Sequence, residues 1–157
     1  MIIAFAGHSV VPSTEKVRQT VEEKIRSSMI GDQAVTCYLG GYGSFDEICA
    51  RVCKELKKEF TGIETVYVTP YIGPSAEARI AEMQKCGLYD AVVYPPIENV
   101  PLRFAISKRN EWMMANADLI IAYVSHSYGG AYKSLQAAKR KKKKIINIAD
   151  FVDRESE

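Results

Sequence analysis

Six short runs of apolar, β-branched or aromatic residues recur along the chain, at Ile2 to Ala6, Val35 to Leu39, Thr65 to Thr69, Ala91 to Tyr94, Leu119 to Val124 and Ile145 to Ile148. Between them lie segments with apolar residues at helical spacing: Ser13 to Met29, Phe45 to Phe60, Ser75 to Cys86, Arg103 to Ala117 and Ala131 to Lys143. Strands joined through helices run parallel, and right-handed crossovers then place the helices on both faces of the sheet. The pattern predicts an α/β fold, a Rossmann-like three-layer sandwich with a mostly parallel sheet of about six strands. Helix-start chemistry agrees: Ser13 precedes Thr14-Glu15, Ser44 stands three residues before Glu47 as a capping box, and Pro74-Ser75 precedes Glu77.

A length of 157 residues suits one domain, expected over 1–150, with a polar tail at 151–157. No repeat or linker divides it. Met1 leads straight into Ile2-Ile3-Ala4-Phe5-Ala6 without a basic leader or a long apolar stretch, so a cytoplasmic protein with no membrane span is expected. Cys37, Cys49, Cys53 and Cys86 have no C-x-x-C spacing, and His8 and His126 are far apart, so neither a metal site nor a cofactor is expected. Cys49 and Cys53 share a helix face and read as packing residues. Net charge is only +2, and the cationic run Lys139 to Lys144 falls where a helix should end, where cations complement the macrodipole. It holds no interleaved aromatic residue, so nucleic acid is not an expected partner.

In a parallel sheet, ligands bind where strand ends lead into helix starts. Gly40, Gly41 and Gly43 lie in such a loop, after the second strand, and the helix beginning near Ser44 offers unpaired N–H groups. They read as a cradle for phosphate or another anion. A second such loop, S-H-S-Y-G-G-A-Y from Ser125, places Gly129, Gly130 and Ala131 at another helix start. Arg109 and Asn110 offer a guanidinium fork and an amide. Asp46 and Glu47 read as contacts to ribose hydroxyls or as helix-start acids. His8, Thr69, Pro70, Tyr71, Tyr94, Ser125 and His126 follow strands at the same rim, with His8 and Tyr71 as candidate ligand contacts.

The string R-N-E-W-M-M-A-N-A-D-L-I-I-A-Y from Arg109, followed by G-G-A, resembles the SLOG superfamily, which joins the Lonely Guy phosphoribohydrolases with the DNA-processing protein A family. The resemblance spans Leu39 to about Ala138. It implies a Rossmann-like fold, a nucleotide-derived ligand and a homodimer or higher homo-oligomer, formed through Arg103 to Ala117 with Trp112, Met113 and Met114 as the apolar surface. The family's catalytic arginine falls on Arg109 and its glycine pair on Gly129 and Gly130. Its catalytic glutamate falls on Gln136, and the proline before the glycines is Tyr128. A neutral amide supplies neither base nor anionic stabiliser. Gly40 to Glu47 reads G-G-x-G-S-x-x-E, nearly the catalytic string, but after the second strand instead of the fifth.

The expected function is therefore a binder, a sensor or a sequestering sponge, for a nucleotide-derived molecule such as an ADP-ribose or cyclic-nucleotide type signal. The alternative is a phosphoribohydrolase-like enzyme cleaving a nucleoside monophosphate, with Arg109 on the phosphate and Glu47 in place of the missing glutamate.

Overall fold

A computed structural model describes residues 1–31 and 33–152. Its strands are β1 (Ile2–Gly7), β2 (Val35–Leu39), β3 (Ile63–Val68), β4 (Ala91–Val93), β5 (Leu119–Tyr123) and β6 (Lys144–Asn147). Its helices are α1 (Glu15–Ser28), α2 (Gly43–Leu56), α3 (Glu77–Lys85), α4 (Ala105–Asn116), α5 (Gly130–Arg140) and α6 (Ala149–Val152). Single 3₁₀ turns, Pro74–Ala76 and Leu102–Phe104, lead into α3 and α4.

Every strand pair is parallel, in the order β4-β3-β2-β1-β5-β6. The chain steps outward from β1 to β4, then crosses back to lay β5 on the other side of β1. Between β1 and β5 the direction of winding reverses, and the loops leaving these two strands part to opposite faces. This is where an open α/β sheet forms its crevice.

Strand alternation sorts the core into two layers. Ile3 and Phe5 point to the face covered by Val17, Val21 and Ile25 of α1 and Phe45, Cys49 and Val52 of α2. Ala4 and Ala6 point to the opposite face, where their small side chains admit Met113 and Met114 of α4 and Leu135 and Ala138 of α5. Full burial of a large apolar side chain stabilises by roughly 1.5–3 kcal/mol, and these layers supply most of what holds the sandwich together.

Several local expectations need correction. Thr14, not Ser13, caps α1: its Oγ1 accepts from the Val17 N–H at 3.2 Å. Ser44 caps nothing, because its Oγ accepts from the Val11 N–H at 2.8 Å and so ties α2 to the loop after β1. Met113 and Met114 are each 1% exposed and belong to the core, and Trp112, half-buried, stacks on Tyr38 at 5.4 Å, so most of the apolar surface expected to pair two copies is spent inside the molecule. Leu102, Phe104 and Ile106 are the exposed apolar residues at that end.

The cationic run serves helix ends, and chiefly one that is not its own. Lys143 donates from Nζ to the Ala115 and Ala117 carbonyls at 2.9 and 3.0 Å, closing α4, while Lys144 opens β6. Cys37, Cys49 and Cys53 are buried free thiols, and Cys86 is exposed. Residues 149–152 form α6, with Lys24 over the Phe151 ring at 4.0 Å, and the remainder of the expected tail lies outside the described residues. Among the described residues, no helix is long and apolar enough to cross a membrane, and no group of three acidic, histidine or cysteine side chains is placed to hold a metal ion.

Candidate functional site

A cavity of about 540 Å³ opens at the C-terminal ends of β1 and β5. Of the residues singled out from sequence, His8, Gly40, Asp46, Arg109, Asn110, His126, Gly129, Gly130 and Ala131 line it. Gly41, Gly43, Ser44, Glu47, Tyr71 and Ser125 do not.

The first glycine loop faces inward. A Cβ on Gly40 would sit 3.0 Å from Nη2 of Arg109, and one on Gly41, at φ 73°, only 2.6 Å from the Tyr67 ring. One on Gly43 would meet the Ser9 backbone at 2.6 Å. The Tyr42 N–H donates to the Asp46 carboxylate at 3.2 Å, and the N–H groups of Gly40 and Gly41 also turn toward it. The cradle expected for a ligand's phosphate is filled by the protein's own carboxylate, and the bare backbone serves close packing. Glu47 points away and pairs with Arg51 at 3.0 Å. Tyr71 closes a tight turn: its N–H donates to Thr69 Oγ1, which donates to the Tyr71 carbonyl.

Arg109 is 2% exposed. Its Nη1 donates to the carbonyls of Gly40 and Val68 at 2.9 and 2.7 Å, and its Nε donates to Asn110 Oδ1 at 2.8 Å. The guanidinium thus bolts the β2 and β3 loops to α4 through Nε and Nη1, while its Nη2 lies against Gly40. Burial lowers its pKa, opposed by the charge of Asp46, yet a guanidinium stays protonated at neutral pH. Burial also pushes Asp46 up to about 6, against the backbone N–H groups and Arg109, which hold it down.

The opposite wall is a stack of rings. His8 and His126 lie 3.5 Å apart between centroids at an interplanar angle of 8°, and Tyr128 lies 3.8 Å beyond His126. The Ser125 N–H donates to His8 Nε2 at 2.9 Å, which places the His8 proton on Nδ1. Burial, and secondarily the neighbouring His126, lowers the His8 pKa and favours its neutral form. Nδ1 of His126 is buried without a partner among the described residues, and Tyr128 is 70% exposed.

The cavity also receives the start of α5. Gly129, at φ 90°, is its N-cap and provides no side-chain cap. A Cβ on Gly129 or Gly130 would meet nothing within 4 Å, so this helix start is open where that of α2 is closed. Unpaired N–H groups and the positive end of the macrodipole make such a terminus an anion site.

Sequence reasoning missed Gly7, Tyr42, Ile106, Tyr128 and Ser134 as lining residues. Gly7 carried a usable signal, a glycine ending the first strand: a Cβ there would lie 2.2 Å from the Phe45 ring. Gln136 lines not this cavity but a second groove of about 560 Å³ between α4 and α5.

No protein-family model and no curated protein matches the sequence. Solved structures do. The chain is similar to DNA processing protein A from Streptococcus pneumoniae, with a TM-score of 0.61 and 16% identity over 91% of this chain and 48% of that one. It therefore spans about half of that protein's length. DNA processing protein A from Helicobacter pylori gives 0.61 and 14% over 99% and 73%, and the Moco carrier protein of Chlamydomonas rheinhardtii 0.50 and 14% over 94% and 75%. The H. pylori structure is described by its single-stranded DNA binding mode. That likeness overturns the expectation against a nucleic-acid partner, which rested on the small net charge and on a cationic run without interleaved aromatic residues. The fold implied by the Arg109 to Gly130 resemblance, that of the SLOG-type Rossmann-like proteins, is the fold this chain has.

Proposed function

We propose that the chain binds a nucleotide-derived ligand in the crevice between β1 and β5, with a phosphate at the start of α5 and the base against the His8, His126 and Tyr128 rings. One observation carries this reading: an open, uncapped helix start and a stack of three rings face into the same cavity. An anion site beside an aromatic wall suits the two ends of a nucleotide. The natural ligand in this reading is a small nucleotide signal of the ADP-ribose or cyclic-nucleotide type, held by a sensor or a sequestering protein.

Binding is favoured over hydrolysis because neither expected source of a catalytic carboxylate reaches the crevice. Glu47 lies outside it and paired, and position 136 holds glutamine outside it. A second reading, in which the bound nucleotide belongs to a single strand of nucleic acid, is favoured by the exposed face of Tyr128 and by the likeness to the H. pylori protein.

Calorimetry with a panel of mononucleotides tests the crevice, with chromatography of the same mixtures for released base. Gly130→Val should weaken binding by about tenfold or more, since a branched side chain would cover the N–H groups, while the melting temperature holds because the added Cβ meets open space. Unchanged affinity in the folded variant would remove α5 from the site. Base release abolished by Asp46→Asn would make the protein a hydrolase.

A further inference from the structure

Among the described residues, one acid and one cation line the crevice, Asp46 and Arg109. Both are buried and each feels the opposite charge of the other, so together they bring no net charge to the cavity. The exposed cations Arg103, Lys133 and Arg140 line the second groove and not the crevice. What the crevice offers instead is neutral donors. Ser134 is 5% exposed, lines the cavity, and its hydroxyl has no protein partner among the described residues. It follows Gly130 by four residues and so lies on the same face of α5, one turn from the open helix start. His8 is 9% exposed; its Nε2 is taken by the Ser125 N–H, and its Nδ1–H has no protein partner among the described residues. Asn110 gives Oδ1 to Arg109 and keeps its amide N–H groups. A buried hydroxyl and a buried ring N–H left unpaired are costly unless something in the cavity accepts from them.

We propose that the crevice is built for a phosphate carrying a single negative charge, a phosphodiester, and that Asp46 excludes nucleotides whose phosphate has a free, doubly ionised end; the proposal rests on the crevice reading above and narrows it. The start of a helix presents roughly half an elementary charge, which with neutral donors suits one negative charge and not two. The two unesterified oxygens of a diester accept from the α5 N–H groups, Ser134, His8 and Asn110. A second charge would find no unpaired cation in the cavity and would be repelled by the Asp46 carboxylate. Of the two ligand types named above, this selects the cyclic nucleotide, since the adjacent phosphates of an ADP-ribose type molecule carry two charges between them.

The experiment pairs each of the four common nucleoside 5′-monophosphates with its phosphate methyl ester, which is nearly the same shape but keeps one charge, and adds the 3′,5′-cyclic nucleotides. Calorimetry on the full chain at pH 7.5 and pH 5 gives the ratio of ester to monophosphate affinity. The ionisable groups lining the crevice are Asp46, Arg109, His8, His126, Tyr42 and Tyr128, and taking the ratio at each pH removes what their titration does to both ligands alike. At pH 7.5 the monophosphate is a dianion, and the ester and the cyclic nucleotide should bind about tenfold more tightly or better. At pH 5, below the second phosphate pKa of about 6, the ratio should approach one. Asp46→Asn, checked for folding by circular dichroism, leaves the Arg109 charge unopposed and should close the gap at pH 7.5 by raising monophosphate affinity. A monophosphate that binds as well as its ester at pH 7.5 would overturn the proposal and leave the crevice reading standing. So would a preference for the ester that persists at pH 5, which would report contact with the methyl group and not charge, or one that Asp46→Asn leaves untouched. If no nucleotide of either kind binds, the crevice reading itself falls and takes the proposal with it.

Discussion

Asp46 is a carboxyl held where its neighbours pull in opposite directions, and the balance can be read from stability against pH. Burial raises its pKa from 3.8 to about 6 in spite of Arg109 and the loop N–H groups. Between those values the folded chain keeps a proton that the unfolded chain has released. Its contribution to stability is therefore fully present below pH 4 and is lost as pH rises through 6, by up to about 3 kcal/mol. Urea unfolding of wild type and Asp46→Asn from pH 4 to 7 should show this decline in the difference between them, and parallel curves would contradict it. Arg109→Met should cost about 3–5 kcal/mol, because it strands a buried carboxylate and the Gly40 and Val68 carbonyls, and Arg109→Lys should not rescue it. Gly41→Ala should cost roughly 1–3 kcal/mol through its positive φ and the Tyr67 ring, whereas Gly130→Ala should be close to neutral in the same denaturation assay. The sequence marks all these glycines alike, because the residue type shows that backbone needs room but not which side the room is on. Only the fold shows that Gly40 and Gly41 give theirs to Arg109 and Tyr67, and that Gly129 and Gly130 give theirs to solvent.

At the scale of elements, strands and helices were legible almost to their ends because burial on one face imposes a period of two or of 3.6 residues. Their caps were not, since Ser13 and Thr14 compete for one helix start and nothing local reveals that Ser44 Oγ will be taken by Val11. The end of α5 shows the same limit. Lys142 adopts φ 54°, a conformation that glycine normally supplies after a helix, in the middle of a run that reads only as charge. Lys142→Gly should raise stability by about 1 kcal/mol at most, and Lys143→Ala should lower it by about 1 kcal/mol through loss of the contacts that close α4. Thermal melts of the two variants, moving in opposite directions, check both; a shift of the same sign would show that the run acts only through its summed charge.

For the molecule as a whole, the site's location follows from strand order, and strand order is the part of a parallel sandwich that periodicity cannot supply. Six strands and five connecting helices can be laid down in several orders; the one adopted puts β1 beside β5, His8 against His126, and Arg109 beneath the loop after β2. The second groove is equally a product of assembly, since Arg103, Lys133 and Arg140 come together only once α4 lies on α5.

The pinning of the Gly40–Gly43 loop has a consequence in time. Arg109 holds the Gly40 carbonyl, Arg79 the Gly41 carbonyl, Asp46 the Tyr42 N–H and Ser9 the Ser44 N–H, so this wall is set before any ligand arrives. Encounter with a mononucleotide should then need no closing step. In stopped-flow mixing the observed rate should rise linearly with ligand concentration, as a single exponential, with affinity differences between ligands appearing in dissociation. A rate that levels off at high concentration would mean that this loop releases its grip before the ligand can seat.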